Sequence, residues 1–541
     1  MLILLTKTEI METMAIINHL NFNYYFVIGG FFISYLVYRM FNSFLGDNNF
    51  IQIKYKLRGH TWRSIDCNKS IPYNIYCTVC GKLMLSLVGL FCECCGISAC
   101  KKCHRIIDKK QRCKQMWWPA EKPFYHLWVN VGSVTRENPD HIEEGDNLKK
   151  FFCSWCQRVR LSQENELSNT ERCDFQKYKD IIIPPMNVNM DRGKIIKIEP
   201  VPDDDWEPFI IFANRKSGSN RSDEVLSLFR GLLNPLQIID IGSMPPEKAV
   251  KWLPERCRII VAGGDGTVAW VLNTLHTVPH IKASVGILPT GTGNDLSRAL
   301  GWGGGCSDLD ASAIIISMKQ AEVQILDRWK VSIGPLSRGL RSRGRVLFAH
   351  NYVSVGVDAQ VALDFHRARA HILKRCASRY INYLAYALLG VGRALDDGGC
   401  GGLERRLRVR IAREHGEGQE ARGGHGNLNT LDLPPLQALV LLNIPSWGAG
   451  VDLWSLGNEE DVGEQFMDDR KLEVVGISSS FHIARLQCGL AEPYRFAQTS
   501  YVEMSLEGCV AMQVDGEPWM QGPATIRLEP AGQSCMLRNN V

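Results

Sequence analysis

The residues best suited to chemistry fall into two groups, one rich in sulfur and one rich in glycine. His60, Cys77, Cys80, Cys92, Cys95, Cys100, Cys103 and Cys113 place two Cys-x-x-Cys pairs a short stretch apart, with a leading histidine and trailing cysteines. Eight soft ligands in that pattern are enough for two tetrahedral Zn²⁺ ions. Most of the 19 cysteines crowd between Cys67 and Cys173, where a cytoplasmic chain keeps them reduced or bound to metal. The glycine group is "GGDGT", Gly263 to Thr267, between a short apolar run and a run of helical periodicity. Glycine at 263, 264 and 266 lets backbone N–H groups approach an anion closely, and a helix starting near Thr267 adds its positive end. Phosphate is the natural occupant. No GxxxxGK[ST] is present, and the acidic residue of a dinucleotide site is replaced by "PTGTG".

Three repeats of one pattern position those glycines. "FIIFA" runs into "NRKSGSNRS" and a helical segment, "RIIVA" into "GGDGT" and a helix, and "SVGIL" into "PTGTGND" and "LSRAL". Buried strand, small-residue loop and helix in succession read as a parallel α/β sheet, whose C-terminal edge lines a ligand crevice. Glycines that merely make tight turns would explain one such loop more readily than three in a row. This domain begins near Trp206, after "IIIPP" and a linker-like "EPVPDDDWEP". Beyond Trp329 the segments shorten and turn strand-like, giving a β-rich second lobe with the cleft between the two.

The composition, 45% hydrophobic and 22% charged, is that of a globular protein, and the length suggests roughly three or four domains. A net charge of +5 from scattered residues gives no nucleic-acid footprint but leaves a mildly basic face for an anionic lipid surface. Tyr24 to Tyr38 is uncharged, and its extension to residue 45 makes about 22 residues, which at ~1.5 Å each cross a ~30 Å hydrocarbon core. Arg39, Lys54, Lys56, Arg58 and Arg63 follow it and only Lys7 precedes it, so the remainder is expected on the cytoplasmic side of a membrane. A cleaved signal peptide and a re-entrant hairpin at Gly29 and Gly30 are the alternatives.

The cysteine-rich region resembles the phorbol-ester/diacylglycerol-type zinc domain, in which the ligands of two ions interleave. Carried over by order, one Zn²⁺ takes His60, Cys92, Cys95 and Cys113, and the other Cys77, Cys80, Cys100 and Cys103. A second, eroded copy follows with His126, Cys153, Cys156 and Cys173, while Leu161 and Glu164 stand where later ligands belong. The survivors are the complete set for one ion. "GKLMLSLVGLF" is apolar enough to enter a bilayer but shorter than the family's binding loop. The cluster Trp117, Trp118, Phe124, Tyr125 and Trp128 suits either packing between modules or membrane contact.

"GGDGTVAWVLN", "ILPTGTGNDLSRALGWG", "LDRWKV", "NYVSVGVDAQVALDFH" and "MQVDGEPWMQGP" resemble the catalytic region of eukaryotic diacylglycerol kinases. The order of membrane segment, two zinc modules and catalytic region is similar to the epsilon type. The resemblance implies a two-lobed catalytic region, α/β plus β-rich and NAD kinase/diacylglycerol kinase-like, preceded by a transmembrane helix and two small zinc modules. In numbers these are 1–45 with the helix at 24–45, modules at 60–113 and 126–173, and lobes at 206–330 and 331–541. The last segment returns to the first lobe.

The activity so implied is transfer of phosphate from ATP to the free hydroxyl of membrane diacylglycerol, giving phosphatidic acid. It attenuates diacylglycerol signalling and feeds phosphoinositide resynthesis, with a polyunsaturated acyl preference in the epsilon type; no protein partner is implied. By the same resemblance Asn214, Ser217, Gly218, Gly263, Gly264, Asp265, Gly266, Thr267, Gly291, Thr292, Asn294 and Asp295 hold the nucleotide. A primary alcohol is a poor nucleophile, so a carboxylate belongs beside it while Mg²⁺ and backbone donors offset phosphoryl charge. Asp515, with Glu517, is the expected base, although "DG" is equally a hairpin turn. Asp468 and Asp469 match a structural Mg²⁺ position of bacterial relatives, or form a solvated acidic turn. "GPLSRGLRSRGR" and the Gly/Arg-rich stretch from Gly398 to Pro434 depart from the family and read as loops. A sphingoid or ceramide kinase and an inactive lipid-binding scaffold are the competing readings.

Overall fold

The computed structural model describes residues 59–64, 76–84, 89–134, 148–163, 167, 170–192, 194–215, 222–305, 309–336, 344–371, 401–412, 428–456 and 463–540. The expected membrane helix, Ser217, Gly218 and Glu164 lie outside them. Among the described residues no helix is long and apolar enough to cross a membrane.

The first lobe is built on β1 (Phe209–Ala213), α1 (Ser222–Leu232), β2 (Ile238–Asp240), β3 (Arg256–Gly263), α2 (Asp265–Leu275), β4 (Lys282–Pro289), α3 (Asp295–Ala299) and α4 (Ala311–Gln320). Every residue of β1 is buried, as expected of a parallel strand covered on both faces. Its alternation divides two cores. Ile210 and Phe212 join one with Ile259 and Val261 of β3, while Phe209 and Ile211 join the other with Ile260 and Ala262. The parallel order β2-β1-β3-β4 reverses the direction of strand addition between β1 and β3, so the loops leaving those two strands flank a switch-point crevice. Helix α2 starts at Asp265, two residues ahead of the expected Thr267, because Gly264 takes the N-cap position.

The chain then alternates β5 (Glu322–Pro335), β6 (Arg345–Ala349), β7 (Tyr352–Gly356), α5 (Val357–His371), α6 (Leu403–Arg406), β8 (Leu407–Ala412), β9 (Leu428–Thr430) and β10 (Ala438–Leu442). It ends with β11 (Leu472–Ile477), α7 (Ser480–Gln487), β12 (Tyr494–Thr499), β13 (Val502–Leu506), β14 (Val510–Val514), β15 (Glu517–Gln521) and β16 (Ala524–Arg538). β16 pairs parallel with β4 through Val285 and Met536 and antiparallel with β5 from Glu322/Arg538 to Pro335/Ala524. One sheet, β2-β1-β3-β4-β16-β13-β8-β9, therefore runs through both lobes. A boundary at 330/331 cuts β5, and the Gly398–Pro434 stretch contains α6, β8 and β9 rather than loop alone. The second sheet, β12-β11-β10-β7-β14-β15, is antiparallel throughout and packs on the outer part of the first around Trp329, Val353, Leu441 and Met512.

Each cysteine-rich module carries a three-stranded antiparallel sheet: Trp62–Ser64, Gly89–Cys92 and Ser98–Cys100 in the first, Trp128–Val134, Leu148–Cys153 and Val159–Ser162 in the second. The second module has no core of its own. Phe124, Trp128, Trp155 and Phe175 belong to the same buried cluster as Phe209, Leu226 and Phe229 of the first lobe. Stacked and edge-on contacts join Phe124 to Phe175, Trp155 and Trp118. Packing thus accounts for most of the aromatic cluster, while Trp117 and Tyr125 stay exposed. The expected linker is packed as well, since buried Trp206 donates from Nε1 to the Ile182 carbonyl at 2.8 Å.

Candidate active site

At the crevice, two glycine loops touch backbone to backbone. A Cβ on Gly264 would stand 3.0 Å from Gly291 Cα, and one on Gly291 would stand 2.4 Å from Gly264 Cα. Neither glycine has positive φ, so it is this close approach that requires them. A side chain at 264 therefore displaces the neighbouring loop. Gly263 is equally constrained, by Thr267 Cβ at 2.5 Å from the added atom.

Polar side chains tie the loops together. Asn214, at the end of β1, donates from Nδ2 to Thr267 Oγ1 at 3.0 Å, and its carbonyl accepts from Ser222 Oγ at 2.6 Å. Asn294 adopts φ +56°, a left-handed conformation that asparagine tolerates. Its Oδ1 accepts from the Gly291 N–H, and its Nδ2 donates to the Gly291 and Gly304 carbonyls. Asp265 accepts from the backbone N–H groups of Asp295 and Leu296, both at 3.1 Å, and so links "GGDGT" to the start of α3. Thr292 sits on the same loop, between β4 and α3, and is partly exposed.

The second lobe supplies the opposing wall. Asp515 (φ +48°) and Gly516 (φ +79°) form a two-residue turn between β14 and β15, the left-handed pair typical of a type I′ hairpin. The Asp515 carboxylate folds back to accept from the backbone N–H groups of His350 (2.8 Å), Asn351 (2.8 Å) and Tyr352 (3.1 Å). Hairpin turn and inward carboxylate thus coexist at one residue. Glu517 is exposed, and its Oε1 lies 3.4 Å from where a Cβ on Gly266 would stand. Asp295 reaches the other way, accepting from Ser446 Oγ at 2.8 Å and Ala449 N–H at 2.9 Å in the loop after β10.

Crowding of carboxylates in the interior shifts their protonation. Burial, then the Asp265 charge, pushes Asp295 up to about 7. Asp265 is also raised by burial, with the Asp515 charge adding to it against the amides of Leu296 and Asp295 and a hydrogen bond with Asn351. A cationic ligand or a phosphate-bound metal would relieve both. Asp468 and Asp469 lie apart, beside Asp327. Gln533 Nε2 donates to Asp327 Oδ1 at 2.8 Å and to the Asp468 carbonyl at 3.1 Å. Burial, then the charges of Asp469 and Asp468, raises Asp327, and burial, then the Asp468 charge, raises Asp469, but their oxygens do not gather into a ligand group.

The cysteines do gather. Among the described residues the ligand atoms form His60/Cys92/Cys95/Cys113, Cys77/Cys80/Cys100/Cys103 and His126/Cys153/Cys156/Cys173, each set within 4.8 Å. Tetrahedral zinc with thiolate ligands has sulfurs about 3.8 Å apart; Cys92–Cys113 is 3.6 Å, and Cys153–Cys173 and Cys80–Cys100 are both 4.0 Å. His60 turns Nδ1 to Cys95 at 3.3 Å and Nε2 to the Gln111 carbonyl at 3.1 Å, the outer contact that orients a metal-binding imidazole. The donor sets therefore fit Zn²⁺. Leu161, at a lost ligand position, is exposed on the edge of its sheet.

Residues 208–327 match the family described as Diacylglycerol kinase catalytic domain, and 348–518 match Diacylglycerol kinase accessory domain. The chain belongs to the diacylglycerol kinase family. It is 34% identical over 363 residues to diacylglycerol kinase theta of Homo sapiens, covering 63% of this chain and 36% of that one. It is 27% identical over 529 residues to probable diacylglycerol kinase 3 of Caenorhabditis elegans, covering 88% of this chain and 64% of the relative. The chain thus spans less than two thirds of either relative. A solved diacylglycerol kinase from Bacillus anthracis is similar over 62% of this chain and 97% of its own, at 16% identity and a TM-score of 0.35.

The sequence alone did not single out Asn351, Ser446 or Ala449. "ALVLLNIPSWGAG" carries the signal that would have found the last two, a buried strand followed by a small-residue loop. The register that brings this loop to Asp295 is not local information.

Proposed function

We propose that the chain is an ATP-dependent diacylglycerol kinase that phosphorylates the free hydroxyl of 1,2-diacyl-sn-glycerol to give phosphatidic acid. The observation that carries this reading is the approach of the Asp515–Glu517 turn to the "GGDGT" loop across the crevice. Backbone N–H groups of the glycine loops and the start of α2 would hold the triphosphate. Asp515 would accept the hydroxyl proton; three amides fix its position and occupy three of roughly four lone-pair sites. Glu517, exposed beside Gly266, would orient the acceptor. Mg²⁺, arriving with the nucleotide, supplies charge neutralisation for the transferring phosphoryl group.

The cysteine modules would hold three Zn²⁺ ions, counting one for each gathered set. The apolar segment at 24–45 would anchor the chain to a membrane, with the kinase on the cytoplasmic face and a lipid surface as its partner. Resemblance to the epsilon type rests on the order of these segments alone.

The test is transfer of labelled phosphate from ATP in mixed micelles. The reading expects labelled phosphatidic acid and loss of transfer in Gly264→Asp. Labelling of sphingosine instead would overturn the substrate, and full activity of the variant would overturn the site.

A further inference from the structure

His350 precedes β7 and is 1% exposed, yet neither ring nitrogen has a hydrogen-bond partner among the described residues. An unsatisfied polar atom in the interior is costly, so a buried imidazole with two of them asks for a role. Its Nδ1 lies 3.6 Å from Asp515 Oδ2, the same oxygen that its own backbone N–H reaches at 2.8 Å. The backbone around it is fixed. Its carbonyl accepts from Asn443 Nδ2 at 2.6 Å, and Asn443 Oδ1 accepts from the Trp329 indole at 2.8 Å.

A second histidine, less buried, lies near enough to feel the charge of the first. His276, at the end of α2, pairs Nε2 with Ser534 Oγ at 3.0 Å. Burial, then the charges of Arg328 and His350, push its pKa down to about 4, which keeps it a neutral acceptor at physiological pH. Arg328 is held by Asn273 Oδ1 and the Ala531 carbonyl and covers the Phe348 ring. Among the described residues Asp515 is therefore the charged group in direct reach of His350, with His276 near enough to feel its charge.

We propose that His350 is the second member of an Asp–His pair behind the phosphoryl-transfer site, an inference that rests on Asp515 being the base. As the alcohol oxygen bonds to the γ-phosphorus and the bridging P–O bond to ADP breaks, the hydroxyl proton goes to the Asp515 carboxylate. It then passes to His350 Nδ1, which restores the carboxylate beside an imidazolium. His350 touches no substrate in this scheme and acts through Asp515.

The experiment compares the full chain with His350→Asn, His350→Gln and Asp515→Asn in mixed micelles, recording kcat, both KM values, the pH profile of kcat and the melting temperature. The pair predicts that both His350 variants lose about tenfold in kcat, keep both KM values within about twofold, and shift the acidic limb of the profile. A kcat within twofold of wild type with an unmoved limb in the folded variant overturns the pair. So does an equal loss in kcat and melting temperature without a limb shift, which marks a packing role. Asp515→Asn separates the two ideas: if it stays active, the base assignment itself fails, whereas its inactivity with normal His350 variants rejects the pair alone.

Discussion

Asp295 shows how a single residue joins both lobes. Its carboxylate is held by Ser446 and Ala449 of the second lobe, while its own N–H binds Asp265 of the first. With its pKa raised to about 7, the folded chain binds this proton more tightly than the unfolded chain does between about pH 4 and 7. Its contribution is fully present below that window and falls as pH rises through it. Melting temperature followed from pH 4 to 8 should therefore decline less steeply in Asp295→Asn than in wild type; parallel curves would show that the carboxyl does not titrate there. At this scale the sequence was informative where chemistry is local. The Cys-x-x-Cys pairs and glycine loops announce themselves because tetrahedral coordination and phosphate cradling both need close spacing. Asp515 was legible as a turn from "DG", but its amide partners lie 163 to 165 residues away.

Helix α1 is the element on which both cysteine modules converge. Arg230 pairs with Glu93 of the first module at 2.7 Å, with side chains 3% and 11% exposed. Lys114, next to Cys113, donates to the Arg230 and Gly231 carbonyls, and Gln157, next to Cys156, also donates to Gly231. Arg63 holds the Asp223 carbonyl at the other end of the helix. Removing one member of a buried ion pair strands the other, at a cost of about 3–5 kcal/mol. Arg63 also faces Glu93, at 3.5 Å, so urea unfolding of Arg230→Gln should show a loss toward the lower end of that range, and adding Glu93→Gln should restore part of it. Additive losses would mean that the two residues are not coupled. Repeated strand-loop-helix units were readable from periodicity. The attachment of the modules to α1 was not, because an Arg in a helix and a Glu between cysteines each look solvent-facing in isolation.

At the scale of the whole molecule, one sheet and one shared aromatic core bind the parts together. The second module lends Phe124, Trp155 and Phe175 to the core of the first lobe, and β16 carries the chain's end back beside β4. A chain starting at residue 206 would expose Phe209, Val225 and Phe229, which that module covers. Such a truncation should be insoluble or should melt well below the full chain, and zinc chelation should lower the melting temperature of the full chain. Unchanged melting after chelation would show that the gathered cysteines do not depend on metal. Modular reading of the sequence separated what folding unites, because strand pairing across more than 200 residues leaves no local trace.

The central claim is that carboxylates of the second lobe serve phosphate held by glycine loops of the first. Single-turnover transfer from labelled ATP to diacylglycerol, measured for wild type and Asp515→Asn with ATP binding checked separately, tests it most directly. The account predicts nucleotide affinity within about twofold and a transfer rate lower by at least about 10²-fold in the variant. Equal transfer rates, or a loss explained wholly by weaker ATP binding, would contradict it.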